Sequence, residues 1–152
     1  METVMKKLLF LLLAFSFFAF QSCQNEEKVI EQSPVKDGVF IHISHGTDDM
    51  HRVLMGLQMA EKMSEDKDVL VYFDIKGIEV VLKDSEDYTF SHFPSSKTQL
   101  ESLLSRGVTV MACPGCLKAA GKTEDDLSAG IKIADKEKFF SFTEGRILTI
   151  DY

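Results

Sequence analysis

Residues 38–152 predict a three-layer α/β domain built on a mostly parallel sheet. Three observations carry that expectation. Short apolar runs rich in β-branched residues recur at 39–43, 69–73, 108–112 and 147–150. Segments of helical periodicity separate them. The second run is apolar without alternation, as in strands covered on both faces. Strand and helix in alternation describe parallel β-α-β units rather than hairpins.

Val39-Phe40-Ile41-His42-Ile43 opens the domain as a strand, with His42 expected to point into the core. His45-Gly46-Thr47 turns the chain. Thr47 suits an N-cap, and Asp48-Asp49 suit a first helical turn. Met50, Val53, Leu54, Leu57 and Ala60 then recur at helical spacing to about Ser64, with Gly56 among them permitting close approach to the sheet. Residues 69–73 form the second strand. Ile78, Val80, Val81 and Leu82 fit neither period, so 77–83 reads as a short helix or an extended piece. A long loop, 84–96, carries Tyr88, Phe90, His92 and Phe93; loops of that length in a compact domain are often functional. Leu100, Leu103 and Leu104 face inward on a helix over 97–106, which Gly107 stops. Residues 108–112 are the third strand, and Pro114 suits the first turn of the helix after it, which Gly121 ends. A capped turn at 123–127, a short strand at 131–134, a short helix at 136–142 and a last strand at 147–150 complete the domain.

The residues before this domain read as an address. Lys6-Lys7 precede an apolar stretch over 8–20, too short to span a bilayer comfortably, and Gln21-Ser22-Cys23 follow. Residues 1–23 are expected to be a bacterial export signal with a lipobox-like end, Cys23 being the lipidation site, so that the protein is a membrane-anchored lipoprotein of the bacterial envelope, facing the periplasm or the cell surface. Residues 24–37 are polar and charged and contain Pro34, a flexible tether spanning roughly 20 Å as a random coil. The chain carries a net charge of −7 at pH 7. Losing Lys6, Lys7 and Glu2 with the signal makes it one unit more negative. Nucleic acid is therefore excluded as a partner, and attachment to membrane is through the lipid anchor only.

The feature with most chemistry is Cys113-Pro114-Gly115-Cys116, at the corner where the third strand gives way to a helix. If Cys23 is taken by lipid, these are the two remaining thiols, in a compartment where disulfides persist. A bridge across so small a loop removes little unfolded-state entropy, which favours redox or sulfur handling over a staple. Cys113, nearer the helix start, is expected to be the exposed thiol of lower pKa and the attacking one; Cys116 is expected to resolve the product by exchange. Ligands collect beyond the carboxyl ends of parallel strands. His45, Gly46 and Thr47 are therefore candidate substrate-binding residues sharing a cleft with Pro114 and Gly115. Other readings stay open: a structural disulfide in a non-catalytic domain that binds a small ligand or a protein, and zinc, for which His42 and His45 would have to complete the ligand set. A thioredoxin-like oxidoreductase is weakened because the motif lies late and no proline follows Cys116. No metal or other cofactor is expected.

The run from Val108 to Gly121, with a cysteine closing a strand, a second three residues on and a glycine ending the helix, resembles the DsrE/DsrF-like family of small sulfur-handling proteins. The opening strand, turn and helix, and the second strand ending before Gly77-Ile78, are also similar to that family, so the resemblance covers 38–152. It implies a Rossmann-like fold, homo-oligomers, and a cysteine that binds sulfane sulfur as a persulfide. By motif position that cysteine is Cys113, with Cys116 matching a second thiol found in some members. Many members carry arginine before the closing glycine, where this chain has Ala120. The expected partners are small sulfur species or a thiol partner protein.

Overall fold

The computed structural model describes residues 35–152. The expected export signal, Cys23 and nearly all of the expected tether lie outside the described residues.

Five strands, β1 (Gly38–Ile43), β2 (Asp68–Phe73), β3 (Thr109–Ala112), β4 (Lys132–Ile133) and β5 (Ile147–Asp151), form one sheet in the order β4-β3-β2-β1-β5. Every pairing is parallel. The α/β expectation therefore holds, and the sheet is parallel throughout. Helix α1 (Met50–Met63) links β1 to β2, and α2 (Ser96–Ser105) links β2 to β3. Helix α3 (Pro114–Ala119) follows β3, and α4 (Lys136–Phe140) precedes β5.

Alternation along each strand divides the side chains between two unlike faces. Val39, Ile41, Ile43, Val69, Val71, Phe73, Val110 and Ala112 join Val53, Leu57 and Ala60 of α1 and Leu100 and Leu103 of α2 in one buried core. Burying each large side chain contributes about 1.5–3 kcal/mol before entropy is counted. On the opposite face Phe40, His42 and Tyr72 are only half-buried. There α4 supplies Phe139, whose ring centroid lies 5.2 Å from Phe40 and 5.0 Å from Tyr72, edge-on to both. At five residues α4 makes a thin third layer. Phe140, Ile147 and Leu148 stay exposed.

Several local expectations are corrected. Asp49, not Thr47, caps α1, its carboxylate accepting the Arg52 N–H at 3.1 Å. Thr47 instead donates its hydroxyl to Glu79 at 2.9 Å. Residues 77–81 form a 3₁₀ turn, Gly77–Val81, packed into the core by Ile78, Val80 and Val81. The long loop is pinned at Tyr88, which is buried and exchanges bonds with Ser96, and at Phe90, stacked on His51 of α1 at 4.5 Å. His42 does not point into the core. Residues paired in register share a face, and His42 is in register with Tyr72 on one side and Asp151 on the other, so its ring emerges on the thinly covered face.

Gly77 joins the halves of this architecture. A Cβ there would sit 2.1 Å from the Ile43 carbonyl oxygen, so only glycine allows the chain after β2 to pass this close to the end of β1.

Candidate functional site

The site begins where β3 ends. Cys113 extends the ladder by one bond, its N–H donating to the Phe73 carbonyl at 2.9 Å, and then caps α3. Its Sγ accepts the Cys116 N–H at 3.3 Å. Pro114 at the first helical position has no N–H to leave unsatisfied. Leu117, fully buried, anchors the helix, while Pro114 and Gly115 are exposed. A helix of six residues has little macrodipole, so the positive field at Sγ comes from the individual N–H groups of Gly115 and Cys116. Cys113 and Cys116 are both free and both half-buried.

Cys116 is held from the other side. Its Sγ accepts the Ile75 N–H at 3.2 Å. Ile75 achieves this at φ +46°, a left-handed conformation that crowds a β-branched side chain. That side chain is 65% exposed and so regains little by packing. Strain of this kind gathers at functional sites. Ile75→Asn should therefore raise the unfolding free energy by about 1 kcal/mol, since asparagine tolerates this backbone region. Chemical denaturation measures it, and a destabilised variant would contradict the strain.

Cys113 continues the alternation of β3, which places its side chain on the face of Met111. Register then extends one row across the sheet: Lys132, Met111, Tyr72, His42, Asp151. Tyr72 is in register with Met111 and shares a face with Cys113 two residues on, so its phenol favours negative charge on the Cys113 sulfur. His42 bridges two carboxylates, with Nε2 2.8 Å from Asp74 Oδ1 and Nδ1 2.8 Å from Asp151 Oδ1. The His42 Nε2 and Asp74 Oδ1 atoms are sealed from water, and their contact lies off the line of the ring N–H, which makes it an ion contact more than a directed bond.

These surroundings separate the two thiols. Burial pushes the Cys113 pKa up, but bonds from Cys116, Tyr72 and the backbone N–H groups outweigh it, and the net direction is down. Burial, then the bond to Cys113 and its charge, and last the charge of Asp74 hold Cys116 up, against the pull of the Ile75 N–H. Burial, then the contact with Cys113 and the charge of Asp74, raise Tyr72 well above the ordinary phenol, so it remains a donor. For His42, burial disfavours the charged ring but Asp74 and Asp151 prevail, and the pKa rises above 6.5. A group raised on folding stabilises fully below its unfolded pKa and loses that contribution as pH climbs through the folded value. Stability should therefore decline from about pH 6.5 upward as His42 loses its proton, and His42→Gln should flatten that limb in urea titrations across pH.

The polar contacts of His45, Gly46 and Thr47 run to Asp48 and Glu79. His45 Nδ1 lies 3.0 Å from Asp48, Thr47 is bonded to Glu79, and a Cβ at Gly46 would meet the Lys76 carbonyl at 2.5 Å. Asp48 accepts the Gly46 N–H and pairs with His45, and its pKa falls to about 2. The segment 74–77 lies between this turn and the cysteines, its Lys76 N–H bonded to Ser44 and its Ile75 N–H to Cys116. Pro114 and Gly115 stay beside the sulfurs. Tyr72, His42, Asp74 and Asp151, which do gather at the thiol face, are absent from the sequence-based set. Their one sequence signal is parity: Tyr72 and Asp74 alternate with core residues of β2, as Met111 and Cys113 do with those of β3.

The chain matches the DsrE/DsrF-like family over residues 37–143. No curated protein matches it. Among solved structures, it is similar to a protein of unknown function, MTH1491 from Methanobacterium thermoautotrophicum, at 22% identity and TM-score 0.57, covering 76% of this chain and 99% of that one. It is also similar to the ychN protein from E. coli, at 16% identity and TM-score 0.57, with coverage of 76% and 99%. At those identities the structures speak for the fold alone, whereas the family match spans most of the described domain. The chain is thus a member of the DsrE/DsrF-like family.

Proposed function

We propose that this protein takes up sulfane sulfur on Cys113 and releases it, or exchanges thiols, through Cys116. The observation that carries the reading is the asymmetry of the pair: Cys113 caps α3 with its Sγ accepting the Cys116 N–H at 3.3 Å, which favours a thiolate there, while burial and the neighbouring Cys113 disfavour one on Cys116. The Cys113 thiolate attacks the outer sulfur of a persulfide R–S–SH. The S–S bond breaks, R–S⁻ leaves and takes a proton, and Cys113 becomes a persulfide. The Cys116 thiolate then attacks Sγ of Cys113 and expels hydrosulfide. The sulfane sulfur is reduced by two electrons as the two thiols become a disulfide. A dithiol partner protein restores the pair by exchange.

Export fits this chemistry. The basic pair Lys6-Lys7, the apolar stretch after it and Cys23 support a lipoprotein of the bacterial envelope. The exposed side chains of Phe140, Ile147 and Leu148 support self-association through the β5 edge. The test is exposure of the purified reduced Cys116→Ser and Cys113→Ser variants to polysulfide, followed by fragment mass spectrometry. One added sulfur on Cys113 of the first and none on Cys116 of the second is expected; equal loading of the two variants, or none on Cys113, overturns the reading.

A further inference from the structure

The thiol pair does not stand alone at the end of the sheet. From the strands packed beside it come His42 of β1, Tyr72 of β2 with Asp74 just after that strand, and Asp151 of β5; Lys132 of β4 lies in register beyond Met111, and Cys116 sits one turn along α3. Helix α4 contributes Phe139, whose ring packs edge-on to Tyr72 at 5.0 Å. The ring of His42 lies 5.8 Å from that of Tyr72. The Asp74 side chain is 20% exposed, and the oxygen it turns to His42 is sealed. An unscreened carboxylate so placed would oppose negative charge on either sulfur. His42, held on both nitrogens, supplies the opposite charge at 2.8 Å.

We infer that Tyr72, set by register on the face of Cys113, belongs to the reacting site and donates its phenol O–H to Sγ of Cys113 as charge develops there, and that the Asp74–His42–Asp151 clamp is a positioning device that keeps a sealed carboxylate from opposing charge on that sulfur. This rests on the reading of Cys113 as the attacking thiol. All four participants, His42, Tyr72, Asp74 and Asp151, are distant in sequence from the cysteines, and the parallel sheet assembles them. The donor's role is selection: the phenol meets Cys113, while Cys116 is left to the Ile75 N–H and the Asp74 charge. Hydrogen bonds at reacting groups often tighten only as charge develops, so the donation from Tyr72 is expected to the thiolate more than to the neutral thiol.

The experiment is the pH profile of iodoacetamide alkylation, with each thiol followed separately by fragment mass spectrometry on the reduced protein. Tyr72→Phe preserves the ring packing on Phe139 and removes only the donor; the midpoint for Cys113 should rise by about one pH unit, a roughly tenfold loss of thiolate near neutral pH. Fluorotyrosine at the same position, a stronger donor, should move it down, and this arm serves should the phenylalanine variant fold poorly. His42→Gln should raise the midpoints of both thiols, and adding Asp74→Asn should return them. A Cys113 midpoint unmoved or lowered in Tyr72→Phe, or unmoved by fluorotyrosine, overturns the donor. A His42→Gln rise that Asp74→Asn does not reverse, or no rise, overturns the clamp. Alkylation involves no sulfane sulfur, so the outcomes separate cleanly. A protein with these midpoints that never loads sulfur refutes only the proposed function. One that loads sulfur with unmoved midpoints refutes only this inference.

Discussion

Cys116→Ser is expected to trap the persulfide. Without the second thiol, nothing beside Cys113 can attack its Sγ, so a protein charged with polysulfide should retain one added sulfur and release hydrosulfide at least about a hundredfold more slowly than the parent, a barrier increase near 2.7 kcal/mol. Cys113→Ser should behave in the opposite way, taking up no sulfur. The two variants therefore separate loading from release, and time-resolved intact mass together with a hydrosulfide electrode reads both. The expectation follows from placement. Cys113 caps α3 with its sulfur bonded to the Cys116 N–H, so the second side chain is one helical turn from the first and within reach of it after modest rotation. Equal release by Cys116→Ser and the parent would mean that external thiols unload the sulfur and that the second cysteine has another purpose.

The second large effect is on the fold and reaches the site indirectly. Gly77→Ala would force a Cβ to 2.1 Å from the Ile43 carbonyl oxygen and 3.4 Å from the Phe73 ring. Backbone cannot yield as a flexible side chain can, so 74–77 must lift from the end of β1. A loss of about 3 kcal/mol is expected, at the upper end for overpacking. Because Ile75 lies in that segment, its N–H should leave Cys116, and the alkylation midpoint of Cys116 should climb while Cys113, bonded through α3 and β3, moves less. Urea denaturation and the alkylation profile test the two halves together; full stability in Gly77→Ala would show that the segment can relax.

Local pattern made much of the fold legible. β-branched runs gave β1, β2 and β3, the spacing from Met50 to Ala60 gave α1, and proline and glycine marked the ends of α3, because each of these depends on neighbours a few residues away. Thr47 and Asp49 were equally good caps by residue type. Glu79, 32 residues on, took the Thr47 hydroxyl and decided between them. The cysteine corner could be placed at a strand end and a helix start, but not its company. His42 read as a core residue because its strand looked uniformly apolar, whereas the second face is covered by the five residues of α4 and leaves room for a polar bridge. Which side chains stand beside Cys113 depends on strand order and register, and Asp151 meets His42 across 109 positions. No window along one strand contains that information. The rule that ligands gather at strand ends points to the turn of His45, but not to the segment 74–77, which bonds to Ser44 and to Cys116 and whose close approach to Ile43 requires Gly77.

The position of β1 between β2 and β5 bears on how the polypeptide reaches this state. Its first partner arrives through a crossover of ordinary length, but its second is the last strand to be made, so the nascent domain holds a strand with one hydrogen-bonding edge bare until β5 arrives. Wholly parallel, long-separation pairing of this sort slows the search for the native state to milliseconds or longer, and the waiting edge, carrying Val39, Ile41 and Ile43, is the place where two immature chains would adhere.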